Sequence, residues 1–98
     1  MEHKLNDPIA KMRQIETELG IKTMTLELEV LLLINKLGAP SSNDIIRSSR
    51  FSPASVNNCL RNLETIGVIT IVSDTTDRRR KLHRIKPKFV NTISTIVQ

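Results

Sequence analysis

Aromatic residues are nearly missing from this 98-residue chain: Phe51 and Phe89 are the two present, and there is no tryptophan or tyrosine. A core of one modest domain, residues 1–98, must therefore be built from Leu, Ile and Val. With so few aromatic and convergent polar groups, no small-molecule effector can be named. A single cysteine excludes an internal disulfide and fits a reducing compartment. Its place beside an apolar helical stripe makes Cys59 a small core residue rather than a redox sensor, which needs an exposed thiolate. Three isolated glycines offer no loop to cradle phosphate. His3 and His83 have no Cys or carboxylate neighbours at metal-ligand spacing, so both read as surface residues and no metal or cofactor is expected. Glu27 and Glu29 fall on different sides of a helix and make no acid-base pair. The longest apolar run, Val30 to Ile34, is far too short to cross a bilayer. Met1 to Lys4 lacks the apolar core of a secretory signal. A soluble, cytoplasmic protein that is not an enzyme and does not engage membranes is the expectation.

What the chain has is positive charge, unevenly placed. Fifteen Lys and Arg against ten Asp and Glu give a net +5 and a pI near 9.9. Residues 1–49 carry a net −1 and residues 50–98 a net +6, which together make that total. A polyanionic partner is favoured, and the C-terminal half should meet it.

Local signals divide the chain as follows. Met1 to Asn6 reads as a frayed end. Asp7-Pro8 opens a helix with an apolar stripe of Ile9, Met12, Ile15 and Leu19, closed by Gly20. A second helix runs from after Thr25 to Leu37 and stops at Gly38. Leu26 to Val30 alternates as a strand would, so a strand competes there, but the Leu31 to Ile34 block favours a buried helix. Ser41 to Ser49 is a short third helix, with Ser41 and Asp44 at capping-box spacing and Ile45 and Ile46 facing inward. Ser49-Arg50-Phe51 leads into a fourth helix, residues 53–66, capped by Ser52 and opened by Pro53. Val56, Cys59, Leu60, Leu63 and Ile66 form its inward face, and Gly67 ends it. Val68 to Val72 is a strand, Asp74 to Asp77 a turn, and Lys81 to Lys86 a returning strand. Pro87 starts a last helix with Phe89, Val90, Ile93, Ile96 and Val97 along one side. The result is mainly α, in the α+β class: a winged helix-turn-helix with a two-stranded wing and helices at both ends.

The outward face of the fourth helix carries Ala54, Asn58, Arg61 and Thr65, flanked by Ser55, Asn57 and Asn62. Ser and Asn are mediocre helix formers, roughly 0.5 kcal/mol worse than Ala each, so their concentration here asks for a reason. Short amides and hydroxyls approach base edges in a major groove, and Arg suits guanine or phosphate. Ser52, Ala54, Ser55, Asn57 and Asn58 are therefore expected at base edges. Arg50, Arg61, Arg78, Arg79 and Arg80 are expected at phosphates.

From about residue 24 to residue 90 the chain resembles the multiple-antibiotic-resistance regulator (MarR) family of bacterial transcription factors. The resemblance rests on the Leu26 to Leu37 helix and the Ser52-Pro53-Ala54-Ser55-Val56 opening. Leu63-Glu64-x-x-Gly67-Val68-Ile69 matches at the helix-to-wing junction. Most specific is Asp74-Thr75-Thr76-Asp77-Arg78-Arg79, which matches the family's Asp-x-x-Asp-Arg-Arg wing. The resemblance implies that the fourth helix enters the major groove and the wing, residues 74–80, the adjacent minor groove. It implies that Arg79 is the inserted side chain and that Asp77 orients it by a charge-assisted hydrogen bond. A cationic tip also suits the negative potential of a narrow minor groove. Family members dimerise through longer terminal helices that also form a ligand pocket. Residues 1–22 and 87–98 are the corresponding dimerisation segments, shorter in this chain.

These features lead to one expectation: a homodimeric, sequence-specific double-stranded-DNA-binding regulator, read as a repressor. Two alternatives stay open at this point. One is a winged-helix module whose Asn/Ser face and wing bind another protein; the other is a plasmid or phage replication or partition protein using the same fold on repeated DNA sites.

Overall fold

A computed structural model of the chain describes residues 7–22 and 24–97, the last four of these by their backbone alone. Among the described residues seven elements follow in order: α1 (Pro8–Leu19), α2 (Leu26–Leu37), α3 (Ser42–Ser48), α4 (Pro53–Thr65), β1 (Ile69–Ser73), β2 (Lys81–Ile85) and α5 (Pro87–Val97). The expected termini of Met1 to Asn6, and with them His3, lie outside the described residues.

Helices α1 to α4 each start where a side chain can take up unpaired backbone N–H groups. Asp7 accepts from the Ile9 and Ala10 amides at 3.0 and 3.4 Å. Thr25 accepts from Leu28, and Ser52 from Ser55 at 3.1 Å. At α3 the capping box is complete in both directions: Asp44 N–H donates to Ser41 Oγ and Ser41 N–H to an Asp44 carboxylate oxygen.

The α2 segment is a helix rather than a strand, because it runs through the middle of the core. Val30, Leu32, Leu33 and Ile34 are all buried, as expected of a helix packed on several sides. Around them sit Ile9, Met24, Ile45, Val56, Cys59, Leu60, Leu63, Ile69 and Ile93, with Phe51 half-buried at the edge. The core is aliphatic, as the shortage of aromatics requires.

The end of α4 sets the wing's position. Gly67 takes φ +87°, with its N–H on Glu64 O and the Val68 N–H on Leu63 O, both at 3.0 Å. This double bond pattern turns the chain sharply through a left-handed residue. It also corrects two expectations. Ile66 caps the helix instead of continuing its inward face, and is 69% exposed. Val68 is used by the turn, so the strand is Ile69–Ser73, one residue later than its β-branched composition suggests.

β1 and β2 pair antiparallel, from Ile69 opposite Ile85 to Ser73 opposite Lys81. His83, expected at the surface, is 4% exposed. Its backbone N–H and its ring Nδ1–H both donate to Pro40 O, at 2.9 and 3.1 Å. A polar ring can be buried there because the loop after α2 presents a carbonyl that lacks a ladder partner.

The apolar stripe expected on α1 is only partly covered. Ile9 is buried and Met12 half-buried, while Ile15 and Leu19 are 40% and 66% exposed, and nearby Ile21 is 51% exposed.

Candidate nucleic-acid interface

The α4 helix divides as its spacing dictates. Val56, Cys59, Leu60 and Leu63 are buried; Ser52, Ala54, Asn57, Asn58, Arg61 and Thr65 are exposed, and Ser55 is half-buried. Burial pushes the Cys59 thiol up to about 11, helped by the negative charge of Glu27, so it is an inert core group. On the outer face Arg61 donates to Asn58 Oδ1, and Thr65 Oγ1 donates to Arg61 O at 2.9 Å. The Ser52 hydroxyl donates to Ser55 Oγ at 2.8 Å while accepting the Ser55 amide. The polar groups at the start of α4 are thus held in a defined arrangement before any partner arrives.

The seven-residue loop between the wing strands, residues 74–80, is built by its own acids. Asp74 Oδ1 accepts from Thr76 N–H and Oγ1 at 3.0 and 2.9 Å, which lowers its carboxyl below the usual range. Asp77 Oδ1 accepts from the Arg79 backbone amide at 3.1 Å and from Arg79 Nε at 3.3 Å, while the Arg79 side chain stays 93% exposed. Arg78 is also exposed at the tip.

Arg80 turns back toward the body of the domain. Its Nη2 meets Asp44 Oδ2 at 2.8 Å, and Asp74 lies 4.0 Å from its Nη1. Asp44 therefore serves three groups at once: the Ser41 cap, Arg80 from the wing, and Arg47 on its own helix. The Ser41 amide and hydroxyl, then Arg80, hold its carboxyl down at about 2.

Two adjoining grooves result. One, of about 460 Å³, lies between α4 and the wing and is lined by Asn57, Asn58 and Arg61 on one side and by Lys81 and His83 on the other. The second, of about 510 Å³, lies between α3 and the wing tip and includes Asn43, Arg47, Arg79 and Arg80. Ser42 and Lys81 line both. The Asn-rich face of α4 and the arginine-bearing loop thus open on the same side of the molecule.

Arg50, expected at a phosphate, is paired in the structure with acids of its own chain. Its guanidinium grips both oxygens of Glu16, and its Nε lies 3.3 Å from Glu29. Glu16 raises the Arg50 pKa further, with Glu29 contributing. Glu29 is fully buried, 0% exposed, and also accepts from Arg13 Nη2 at 3.2 Å and Ser49 Oγ at 2.8 Å. This cluster escaped the sequence reading, although a signal was present. Glu29 lies three residues after Leu26 and four before Leu33, on the inward side of an apolar helix, where an acid needs cationic partners.

Among the described residues, no group of three or more His, Cys, Asp and Glu gathers to hold a metal ion. No helix among them is long and apolar enough to cross a membrane.

No protein-family model matches the chain, and no curated protein sequence matches it. Solved structures do. BpsR of Bordetella bronchiseptica, studied for regulation of its DNA binding by 6-hydroxynicotinic acid, aligns over 99% of this chain and 71% of its own at 20% identity and TM-score 0.66. A variant of S. aureus MepR bound to an oligodeoxyribonucleotide aligns over 91% of this chain and 64% of its own, at 23% identity and TM-score 0.66. A variant of Lactococcus lactis ZitR aligns over 76% of this chain and 51% of its own, at 23% identity and TM-score 0.67. The chain thus spans between about half and seven-tenths of the length of these proteins. The helix order, the left-handed turn into the wing and these alignments agree: this chain has the winged-helix fold of the MarR-family regulators, the family its Asp-x-x-Asp-Arg-Arg wing resembles.

Proposed function

We propose that the chain is a sequence-specific double-stranded-DNA-binding transcriptional regulator that works as a homodimer and as a repressor. The observation that carries this reading is the shared side of the α4 face and the wing. A recognition helix in the major groove and a loop in the neighbouring minor groove must straddle one sugar-phosphate strand. The groove between α4 and the wing, flanked by Arg61 and Lys81, has the position and charge for that strand. Ser52, Ala54, Ser55, Asn57 and Asn58 meet base edges, Arg61, Arg78 and Arg80 meet phosphates, and Arg79, braced by Asp77, enters the minor groove. BpsR and DNA-bound MepR, with the same fold, support the assignment by likeness.

Dimerisation uses residues 1–22 and 87–98. The exposed Ile15, Leu19 and Val90 are apolar surface that a partner would cover. Two recognition helices then sit about one DNA turn apart on a pseudo-palindromic site.

Selection of bound sequences from a random duplex pool, followed by fluorescence anisotropy over a salt series, tests the proposal. With four or five phosphates neutralised per protomer, the log-log salt slope of the dimer is on the order of −7 to −9. Asn58→Ala relaxes the selected sequence preference, whereas Arg79→Ala weakens binding on all sequences alike. A slope near zero, or no enriched sequence, refutes the reading.

A further inference from the structure

Arg50 sits in the turn between α3 and α4, and three elements converge on it. From α1 come Arg13 and Glu16, three residues apart and so on one face; from α2 comes the buried Glu29; from the turn itself come Ser49 and Arg50. Three hydrogen bonds tie the turn to α1 and α2. Arg13 Nη2 donates to Ser48 O at 3.2 Å, Ser49 Oγ donates to Glu29 at 2.8 Å, and the Arg50 amide donates to Glu29 at 3.4 Å. The Arg50 guanidinium also lies 5.5 Å from the centre of the Phe51 ring. Two residues later Ser52 caps α4, and the base-facing side chains begin at Ala54.

We infer that Arg50 is a positioning residue rather than a phosphate contact: gripped by Glu16 of α1 and Glu29 of α2, it fixes the α3–α4 turn and makes the seating of the recognition helix depend on how α1 packs. The inference rests on the DNA-binding reading above. A guanidinium with its fork on one carboxylate and its Nε 3.3 Å from another already has its charge met by acids of its own chain. A phosphate would have to compete with both carboxylates for that charge. Through this one residue, α1, a helix assigned to dimerisation, and α4, the helix assigned to base reading, are linked without a shared side-chain contact to DNA. A shift of α1 within the dimer would release or re-aim α4.

Two substitutions separate a clamp from a phosphate contact, because the two roles give opposite outcomes. Arg50→Lys keeps the positive charge a phosphate would want but loses the forked grip on Glu16. Glu16→Gln leaves Arg50 in place and removes its main anion, which would free a phosphate contact but loosen a clamp. DNA binding is read by anisotropy on the selected site, and amide hydrogen exchange is read on the free proteins. If the loosened turn in each protomer holds its binding geometry for about a tenth of the time, both are competent about a hundredth of the time and the apparent affinity of the dimer falls about a hundredfold. Both variants are expected to lose about that much with an unchanged salt slope, and to exchange faster at residues 49–57 than elsewhere. Wild-type affinity in Arg50→Lys together with equal or tighter binding in Glu16→Gln overturns the inference. So does unchanged exchange at residues 49–57, which decides the matter even if wild-type protein binds no duplex and the DNA reading itself fails.

Discussion

Replacing Glu29 with glutamine is the sharpest probe of the fold. The substitution preserves size and shape but removes one negative charge from a site that is 0% exposed. Glu29 accepts from Arg13 Nη2 at 3.2 Å, Ser49 Oγ at 2.8 Å and the Arg50 amide at 3.4 Å, and Arg50 Nε lies 3.3 Å away. Glutamine keeps one acceptor oxygen and points an NH₂ at the remaining donors, so at least one bond becomes a donor-donor clash. Breaking a buried ion pair by removing one member costs roughly 3–5 kcal/mol. Here the Arg13 and Arg50 side chains are 38% and 37% exposed, so water screens part of the imbalance. A loss of about 2–3 kcal/mol is the result of that discount. For a domain of this size it corresponds to a Tm lower by about 10–20 °C. Urea unfolding at fixed protein concentration is the suitable assay, since a dimer's midpoint moves with concentration. The midpoint should fall with the slope unchanged. Glu27→Gln, two positions away and exposed, is the control and should stay within about 0.5 kcal/mol of wild type. A Glu29→Gln protein as stable as the control would show that the buried cluster contributes no net stability.

Acid should loosen α3 and the wing together. Asp44, held down at about 2, binds a proton more readily unfolded than folded, so its contribution is complete above about pH 4 and disappears as pH falls through about 2. The stability gap between wild type and Asp44→Asn, on the order of 1 kcal/mol for so accessible a group, should close over that window; a gap independent of pH would refute the assignment. The Cys59 thiol should react with a disulfide reagent at least about a hundredfold more slowly in the folded protein than in urea, because only an opened form presents a thiolate. Labelling at the rate of a free thiol would place Cys59 outside the core.

Features decided by neighbouring residues were legible before any coordinates. Ser52-Pro53 capping α4, Gly67 turning out of it, and Asp74 to Asp77 shaping the loop each depend on atoms a few positions apart. The same holds for the split of α4 into an aliphatic and an amide-rich side. Long-range partnerships were not legible. Glu29 finds Arg13 sixteen positions away and Ser49 twenty away, Arg50 finds Glu16 across thirty-four, and His83 finds Pro40 across forty-three. Arg50, in the turn before α4, and Arg61, within it, are the same residue type, and composition assigns them the same task. Only the packing of α1 against the turn reveals that one of them meets acids of its own chain. His83 was misjudged for a related reason: strand alternation says which residues share a side, not that a spare carbonyl waits there.

That imidazole also has a mechanical consequence. Because His83 is stapled through two hydrogen bonds to the carbonyl of Pro40, the β ribbon is anchored at its middle to the loop after α2. With Arg80 also tied to Asp44 of α3, the ribbon is held at two points along its length, and its free end is the tip that carries Arg78 and Arg79. Such a lever can reach into a crevice of variable width while its anchorage, and the register of everything attached to it, stays put.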